Sequence, residues 1–371
     1  MNMLRHYIKL AIRNLLKYKS QSVISIIGLA IGFTCFALST LWIRYEQTYD
    51  TFHDGADRIY LIRPESNTTN NGLSEITPYP LAGYLKATFP EIEDACNMQA
   101  WGTTVRYKGT EYRSFKMGID SAAMHMFKLK VTNGNHNFLT ENSEEIAITE
   151  QLARQLFGTE NPLGQEIEIY GQKKRICAVI QSWSRHSNIP YEIVDNFSPG
   201  DNRTQWYASM CQTFIKLKKG VDAQKFIQKL YEHTYETENS IVVKKSVATP
   251  ITAMRYDRPN QGVTVKYEHI RLFALAGGLV ILCSLFNYLT LFITRIRMRD
   301  REIALRKVNG SSNRELLMLF STEYLITLVF AIFFGLILLE LVIPTFKELS
   351  DIKSDKTSIY LEALSYSGIV A

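Results

Sequence analysis

Apolar and polar positions are sharply segregated along this chain. Residues 23–43, 272–294 and 316–343 are apolar around the whole circumference of a helix; the first two blocks carry no charge and the third carries only Glu323 and Glu340. A helix needs roughly 20 residues to cross a hydrocarbon core about 30 Å thick, and soluble helices of that length keep a polar face. The pattern therefore predicts three transmembrane helices. Ahead of the first, Leu4, Ile8, Ala11, Ile12, Leu15 and Leu16 recur at helical spacing, with Arg5, Lys9, Arg13 and Lys17 around the other side. That predicts an amphipathic helix lying flat on the inner leaflet, basic residues toward anionic head groups, with a bend at residues 18–21 before the first span. Residues 365–371 read as the beginning of a fourth apolar segment, so the chain is expected to be a fragment whose fourth span starts at 362–371.

Between the first two blocks the pattern shortens into alternations and brief helical periods. Strands are expected at 58–62, 145–148 and 213–217, and hairpins at 103–117 around Lys108-Gly109-Thr110 and at 165–180 around Tyr170-Gly171-Gln172-Lys173. Helices are expected at 81–89, 150–157 and 222–235, the second closed by Gly158. The fold class is thus a membrane α-helical protein with a large extracytoplasmic α+β domain. Its parts are an amphipathic helix (1–20), helix 1 (21–44), an extracytoplasmic domain of two lobes (45–269), and a second membrane domain (270–371). The last comprises helix 2 (270–294), a cytoplasmic segment (295–315), helix 3 (316–343) and the start of helix 4 (362–371).

The formal charge of +6 over 371 residues sits beside the spans. Arg5, Lys9, Arg13, Lys17 and Lys19 precede the first, and Arg295, Arg297, Arg299, Arg301, Arg306, Lys307 and Arg314 separate the second from the third. The positive-inside bias places both segments, and the N-terminus, in the cytoplasm. Basic clusters that hug membrane spans without an aromatic-basic groove do not read as a nucleic-acid surface. No phosphate-binding G-x-x-x-x-G-K-[ST] loop, H-E-x-x-H or closely spaced Cys pair occurs. The external cysteines Cys96, Cys177 and Cys211 make no short-spaced framework and read as buried thiols, although a disulfide is chemically allowed outside the cytoplasm. His53, His125, His136 and His186 read as scattered among polar residues. No catalytic constellation, metal site or cofactor is expected.

The segment between the second and third spans is more specific. Ile303, Leu305 and Val308 form an apolar patch on a short helix ringed by Arg301, Glu302, Arg306 and Lys307. Asn309-Gly310 suits a C-terminal stop, because glycine adopts the left-handed conformation cheaply. Ser312 with Glu315 reads as a capping box that opens the next helix. Glu323 lies near the inner end of its span, where a carboxylate is costly unless paired, so an arginine of the link is its expected partner. Gly28-Leu29-Ala30-Ile31-Gly32 in the first span is a G-x-x-x-G that lets another helix approach closely.

These residues resemble a family. Asn287-Tyr288-Leu289-Thr290, then Arg301-Glu302-Ile303-Ala304-Leu305-Arg306-Lys307-Val308-Asn309-Gly310-Ser311-Ser312, then Phe320-Ser321-Thr322-Glu323 are similar to the FtsX-type permease signature, with Ala304 and Ser311 in place of the commoner Gly and Ala. Glu145 through Gly158, followed by Asn161-Pro162-Leu163-Gly164, is similar to the periplasmic core domain of MacB-like ABC transporter permeases. Tyr49-Asp50-x-Phe52-His53 gives the chain a Bacteroidetes style. The resemblance implies a non-catalytic permease in the bacterial inner membrane, moved by an ABC-type ATPase subunit in trans. It also implies a second permease unit, as a homodimer or duplicated half, with a periplasmic adaptor and an outer-membrane channel as further partners. The ATPase-coupling residues would be Arg301, Glu302, Ile303, Leu305, Arg306, Lys307 and Gly310; the helix-packing residues would be Gly28, Gly32, Asn287 and Glu323. The expected activity is mechanotransmission, for efflux of peptides, antibiotics or lipoproteins. The alternatives are an FtsX-like regulator of a cell-wall hydrolase and a stand-alone receptor.

Overall fold

The computed structural model describes residues 2–65, 72–183, 186–235, 245–256, 267–310 and 312–349. The expected start of a fourth span, 362–371, lies outside them. In chain order the elements begin with helices α1 (Asn2–Lys17) and α2 (Lys19–Gln47). Next come β1 (Ile59–Pro64), β2 (Thr77–Pro78), α3 (Leu81–Thr88), β3 (Ile92–Tyr107), β4 (Thr110–Ile119) and α4 (Ser121–Met126). Then follow β5 (Val131–Gly134), β6 (Glu145–Thr149), α5 (Glu150–Phe157), β7 (Glu166–Ile169), β8 (Gln172–Ile180) and β9 (Ile193–Asn196). The series closes with β10 (Ser209–Leu217), α6 (Ala223–Glu232), β11 (Ser246–Pro250), α7 (Tyr267–Arg297), α8 (Asp300–Val308) and α9 (Asn313–Leu349). Contacts divide the chain into two compact units, residues 48–265 and residues 1–47 with 266–371.

The helical unit holds the three apolar blocks as α2, α7 and α9, each long and apolar enough to cross a membrane. α1 and α2 are separated by a one-residue irregularity at Tyr18. The backbone ladder persists across it, with Tyr18 N–H donating to Asn14 O at 3.1 Å and Ser22 N–H to Tyr18 O at 3.0 Å. The bend expected over residues 18–21 is therefore smaller than a break. The amphipathic face of α1 is divided: Ala11, Asn14 and Leu15 are buried while Ile8, Ile12 and Leu16 are exposed.

The α+β unit is built on an eleven-stranded sheet ordered β11-β1-β10-β3-β4-β9-β6-β8-β5, with β2 on β10 and β7 between β3 and β8. Two hairpins turn as the sequence predicts, and for a visible reason. Lys108-Gly109 and Tyr170-Gly171 both hold positive φ at both residues (47° and 81°; 51° and 76°), as the two-residue turn that matches strand twist demands. β3 is the spine: it pairs with β10 through Ile92–Met98 and with β4 from Met98↔Ile119 to Tyr107↔Thr110. It supplies Ile92 and Ala95 to a core with α3 and α6, Met98 to a core under α4, and Val105 to a core with α5. The lobes expected from sequence thus share one continuous ladder. The short strands β2, β5, β9 and β11, the helix α4 and the first half of β3 were not predicted.

The chain enters this unit through a buried polar knot. Asp50, fully buried and at φ 56°, accepts from Asn188 N at 3.0 Å, from Asn188 Nδ2 at 2.6 Å and from the Ser187 hydroxyl. His53 Nε2 lies 3.6 Å from the same carboxylate, and its ring packs edge-on against Trp183 and Phe127 at 4.6 and 5.2 Å. Tyr49 packs on His186 at 4.1 Å and beneath the Arg255 guanidinium at 4.2 Å. This corrects the reading of His53 and His186 as scattered among polar residues: both are built into this knot.

Candidate functional site

The link between α7 and α9 folds as its capping chemistry dictates. α7 ends at Arg297, and Arg299 precedes the first residue of α8, Asp300. α8 stops where Asn309 N–H donates to Leu305 O at 3.0 Å and Gly310 takes φ 90°, a conformation that glycine adopts without a Cβ clash. α9 then opens on a reciprocal capping box, Ser312 N–H to Glu315 Oε2 at 3.2 Å and Glu315 N–H to Ser312 Oγ at 3.3 Å.

Under this corner lies a buried ionic cluster. Glu323 of α9 is 1 % exposed. It accepts from Arg299 Nη1 at 2.8 and 3.0 Å, and from the Asn14 amide of α1. Arg299 also lies 3.5 Å from Glu302 through Nε, and Glu302 accepts from Arg306 Nη2 at 3.1 Å. Burial alone would raise the Glu302 carboxyl, but Arg299 and then Arg306 outweigh it and hold it below the usual carboxylate range. One relay therefore runs from α1 through α9 and the α7–α8 corner onto α8. Arg295 and Tyr288 of α7 are buried in the same helical unit, and Arg295 Nε and Nη2 have no hydrogen-bond partner among the described residues. Arg295 is thus a second buried arginine in the helical unit that holds the Arg299–Glu323 pair.

Most of the other coupling-segment positions are exposed. Arg301, Lys307 and Gly310 are exposed, Ile303 and Arg306 are half-buried, and Leu305 and Val308 stand out at 65 % and 85 % exposure. The helix-packing positions lie at close crossings. A methyl group at Gly32 would stand 2.2 Å from Ser284 Oγ of α7, and one at Gly28 would stand 3.2 Å from Asn287 Nδ2. On the other side of α2, Thr34 Oγ1 donates to Gly335 O of α9 at 3.1 Å. Van der Waals contact at small residues and interhelical hydrogen bonds are what hold helices together in lipid.

The sequence reading anticipated an arginine partner for Glu323 but missed Asn14. Its signal was a single amide inside the apolar stripe of α1, between Ala11 and Leu15. In the other unit Cys96, Cys177 and Cys211 are free and buried. Burial raises all three thiols, Cys211 to about 12 and Cys96 well above the usual range, so they hold no thiolate at neutral pH. Among the described residues no group of His, Cys, Asp and Glu is arranged to hold a metal ion.

Comparison with known families decides the identity. The MacB-like periplasmic core domain matches residues 22–232 and the FtsX-like permease C-terminal domain matches residues 274–371. The chain belongs to the MacB/FtsX-like permease family. The permease has no match among curated proteins. Solved structures similar to it include a domain of a permease protein from Porphyromonas gingivalis, 17 % identical, covering 59 % of this chain and 99 % of that one at a TM-score of 0.46. The periplasmic region of MacB from Actinobacillus actinomycetemcomitans is 14 % identical, covering 48 % and 82 % at 0.37. The extracellular domain of the ABC-type transporter YknZ from Gram-positive bacteria is 16 % identical, covering 52 % and 99 % at 0.40. The two family matches and the three apolar helices make the permease an inner-membrane protein with a periplasmic-type α+β domain, in a family of ABC transporter permeases that are generally non-catalytic.

Proposed function

We propose that this permease is a passive, moving subunit of an ABC transporter, driven by a separate ATPase that docks on α8 from the cytoplasm. The N-terminus, α8 and both basic segments are then cytoplasmic, and residues 48–265 are periplasmic. The observation that carries the reading is the relay Asn14–Glu323–Arg299–Glu302–Arg306. A docking helix tied to α9 by the buried Arg299–Glu323 pair, and through Glu323 to α1 by the Asn14 hydrogen bond, cannot be displaced without moving them, whereas an inert loop needs charge but no such tether. Leu305 and Val308 supply the apolar anchor for the ATPase, and Arg301, Arg306 and Lys307 supply the charge around it, with Glu302 and Ile303 orienting the helix and Gly310 ending it. Gly28, Gly32 and Asn287 keep α2 and α7 close enough to move together. A second permease unit completes the membrane assembly. The cargo is a peptide, antibiotic or lipoprotein expelled from the periplasm through an adaptor and an outer-membrane channel.

The test is recovery of the tagged full-length protein from solubilised membranes with and without a non-hydrolysable ATP analogue. An ABC-type ATPase that co-purifies and is lost in an Arg301→Glu/Arg306→Glu/Val308→Asp variant is the expected result. No ATPase under conditions that keep the membrane complex intact overturns the reading.

A further inference from the structure

α4 ends in an unusual way. Leu129 N–H donates to Met124 O at 3.1 Å and Lys128 N–H to His125 O at 3.3 Å, the paired bonds of a Schellman cap. The left-handed residue of that cap is usually glycine, because a Cβ there is strained. Here it is Lys128, at φ 50°. Outside tight hairpin turns, non-glycine residues held in this region cluster at functional sites.

Lys128 stands at the junction of two adjoining cavities. One, of about 660 Å³, is lined by Met124, His125, Lys128, Lys130, His136 and Leu139 among others. The other, of about 290 Å³, shares Lys128 and Lys130 and ends at Phe52, His53 and Trp183. The first is an open surface depression, large enough to seat a small ligand with one side in solvent. Met124 and Leu129 make a buried apolar floor, and the rim carries two lysines and two exposed histidines. Among the described residues Asp54 is the one acidic residue lining either cavity, and Lys128 already pairs with it at 2.5 Å. Among the described residues Lys130, His125 and His136 have no carboxylate partner.

The geometry points to a binding site for an oxyanion carried on an apolar or aromatic body, with Lys128 and Lys130 taking the charge and Trp183 and Phe52 the ring. Carboxylates of an acidic peptide and a phosphate monoester share that chemistry. The site needs no ATPase, so its failure and the failure of the driven-permease reading are separate results.

The experiment is calorimetric titration of the full chain in neutral-lipid nanodiscs, with Trp183 fluorescence as the local reporter and Trp183→Phe as its control. The probes are an N-acetylated Phe-Glu-Glu tripeptide, its Phe-Gln-Gln amide and phenyl phosphate. The expected result is saturable binding of the acidic tripeptide, phenyl phosphate or both below about 1 mM, about tenfold weaker for the glutamine analogue and weaker at high salt. Tripeptide binding alone assigns the site to carboxylates, and phosphate binding alone assigns it to phosphate monoesters. Lys128→Gly/Lys130→Gln weakens the bound probe about tenfold, while Lys128→Gly alone melts no lower than the parent. No saturation by either anion, equal binding of the glutamine analogue, or binding unchanged in the double variant overturns the proposal.

Discussion

Glu323→Ala is the sharpest perturbation of the helical unit. It removes the fully buried carboxylate paired with Arg299, whose side chain is buried with it. Among the described residues the one carboxylate Arg299 keeps is Glu302, at 3.5 Å and about a third exposed, and the Asn14 amide loses its acceptor. Breaking a buried pair by deleting one partner strands a charge and costs about 3–5 kcal/mol. The assay is equilibrium unfolding in mixed micelles, followed through Trp42, which is buried on α2 against Phe273 at 4.5 Å. The double variant Arg299→Met/Glu323→Leu removes both charges, and at least half of the loss is expected to return. A single-variant loss below about 1 kcal/mol, or a double variant no better than Glu323→Ala, would refute the argument that this pair is desolvated and tied.

Three further outcomes follow from the same physics. Arg295→Met removes a buried guanidinium with two unpartnered nitrogens and is expected to raise stability by about 1–2 kcal/mol in the same unfolding assay; a loss of that size would mean the charge is satisfied. Gly32→Ala forces a methyl against Ser284 and is expected to cost about 1–3 kcal/mol, with Ser284→Gly restoring most of it; no cost would show that α2 and α7 are loosely packed. The Glu302 carboxyl is held low by Arg299 and Arg306, so its contribution is present above the ordinary glutamate value and lost as pH falls through its own lower one. Hydrogen exchange across α8 should quicken on that acidification beyond the intrinsic rate change, and should not do so in Glu302→Gln.

The parts legible in the sequence are those on which solvent or backbone geometry acts locally. The three apolar helices could be read because lipid demands their length and composition, and the two hairpins because Lys108-Gly109 and Tyr170-Gly171 carry a turn that few residue pairs accept. The cap of α4 was illegible for the opposite reason: its left-handed position holds lysine, so the usual glycine marker is missing. β5, β9 and β11 are only four or five residues long, too short for alternation to show, and β2 is shorter still. At the ionic cluster, Glu323 announced a need for a cation, but Arg295, Arg297, Arg299 and Arg301 all lie within two turns of one another. Only the placement of the corner singles out Arg299. Asn14 was overlooked because one amide hardly alters the period of an amphipathic helix.

The stack of Arg255 on Tyr49 has a consequence for how such a protein arises. These residues stand near the first and last described positions of the sheet unit, so that unit closes on itself, its two ends held side by side at 4.2 Å between guanidinium and ring. Units with adjacent ends are the ones that tolerate insertion into another chain. The sheet unit can therefore be regarded as a cassette. Such a cassette can be exchanged or enlarged without redesigning its own fold, because its entry and exit already meet.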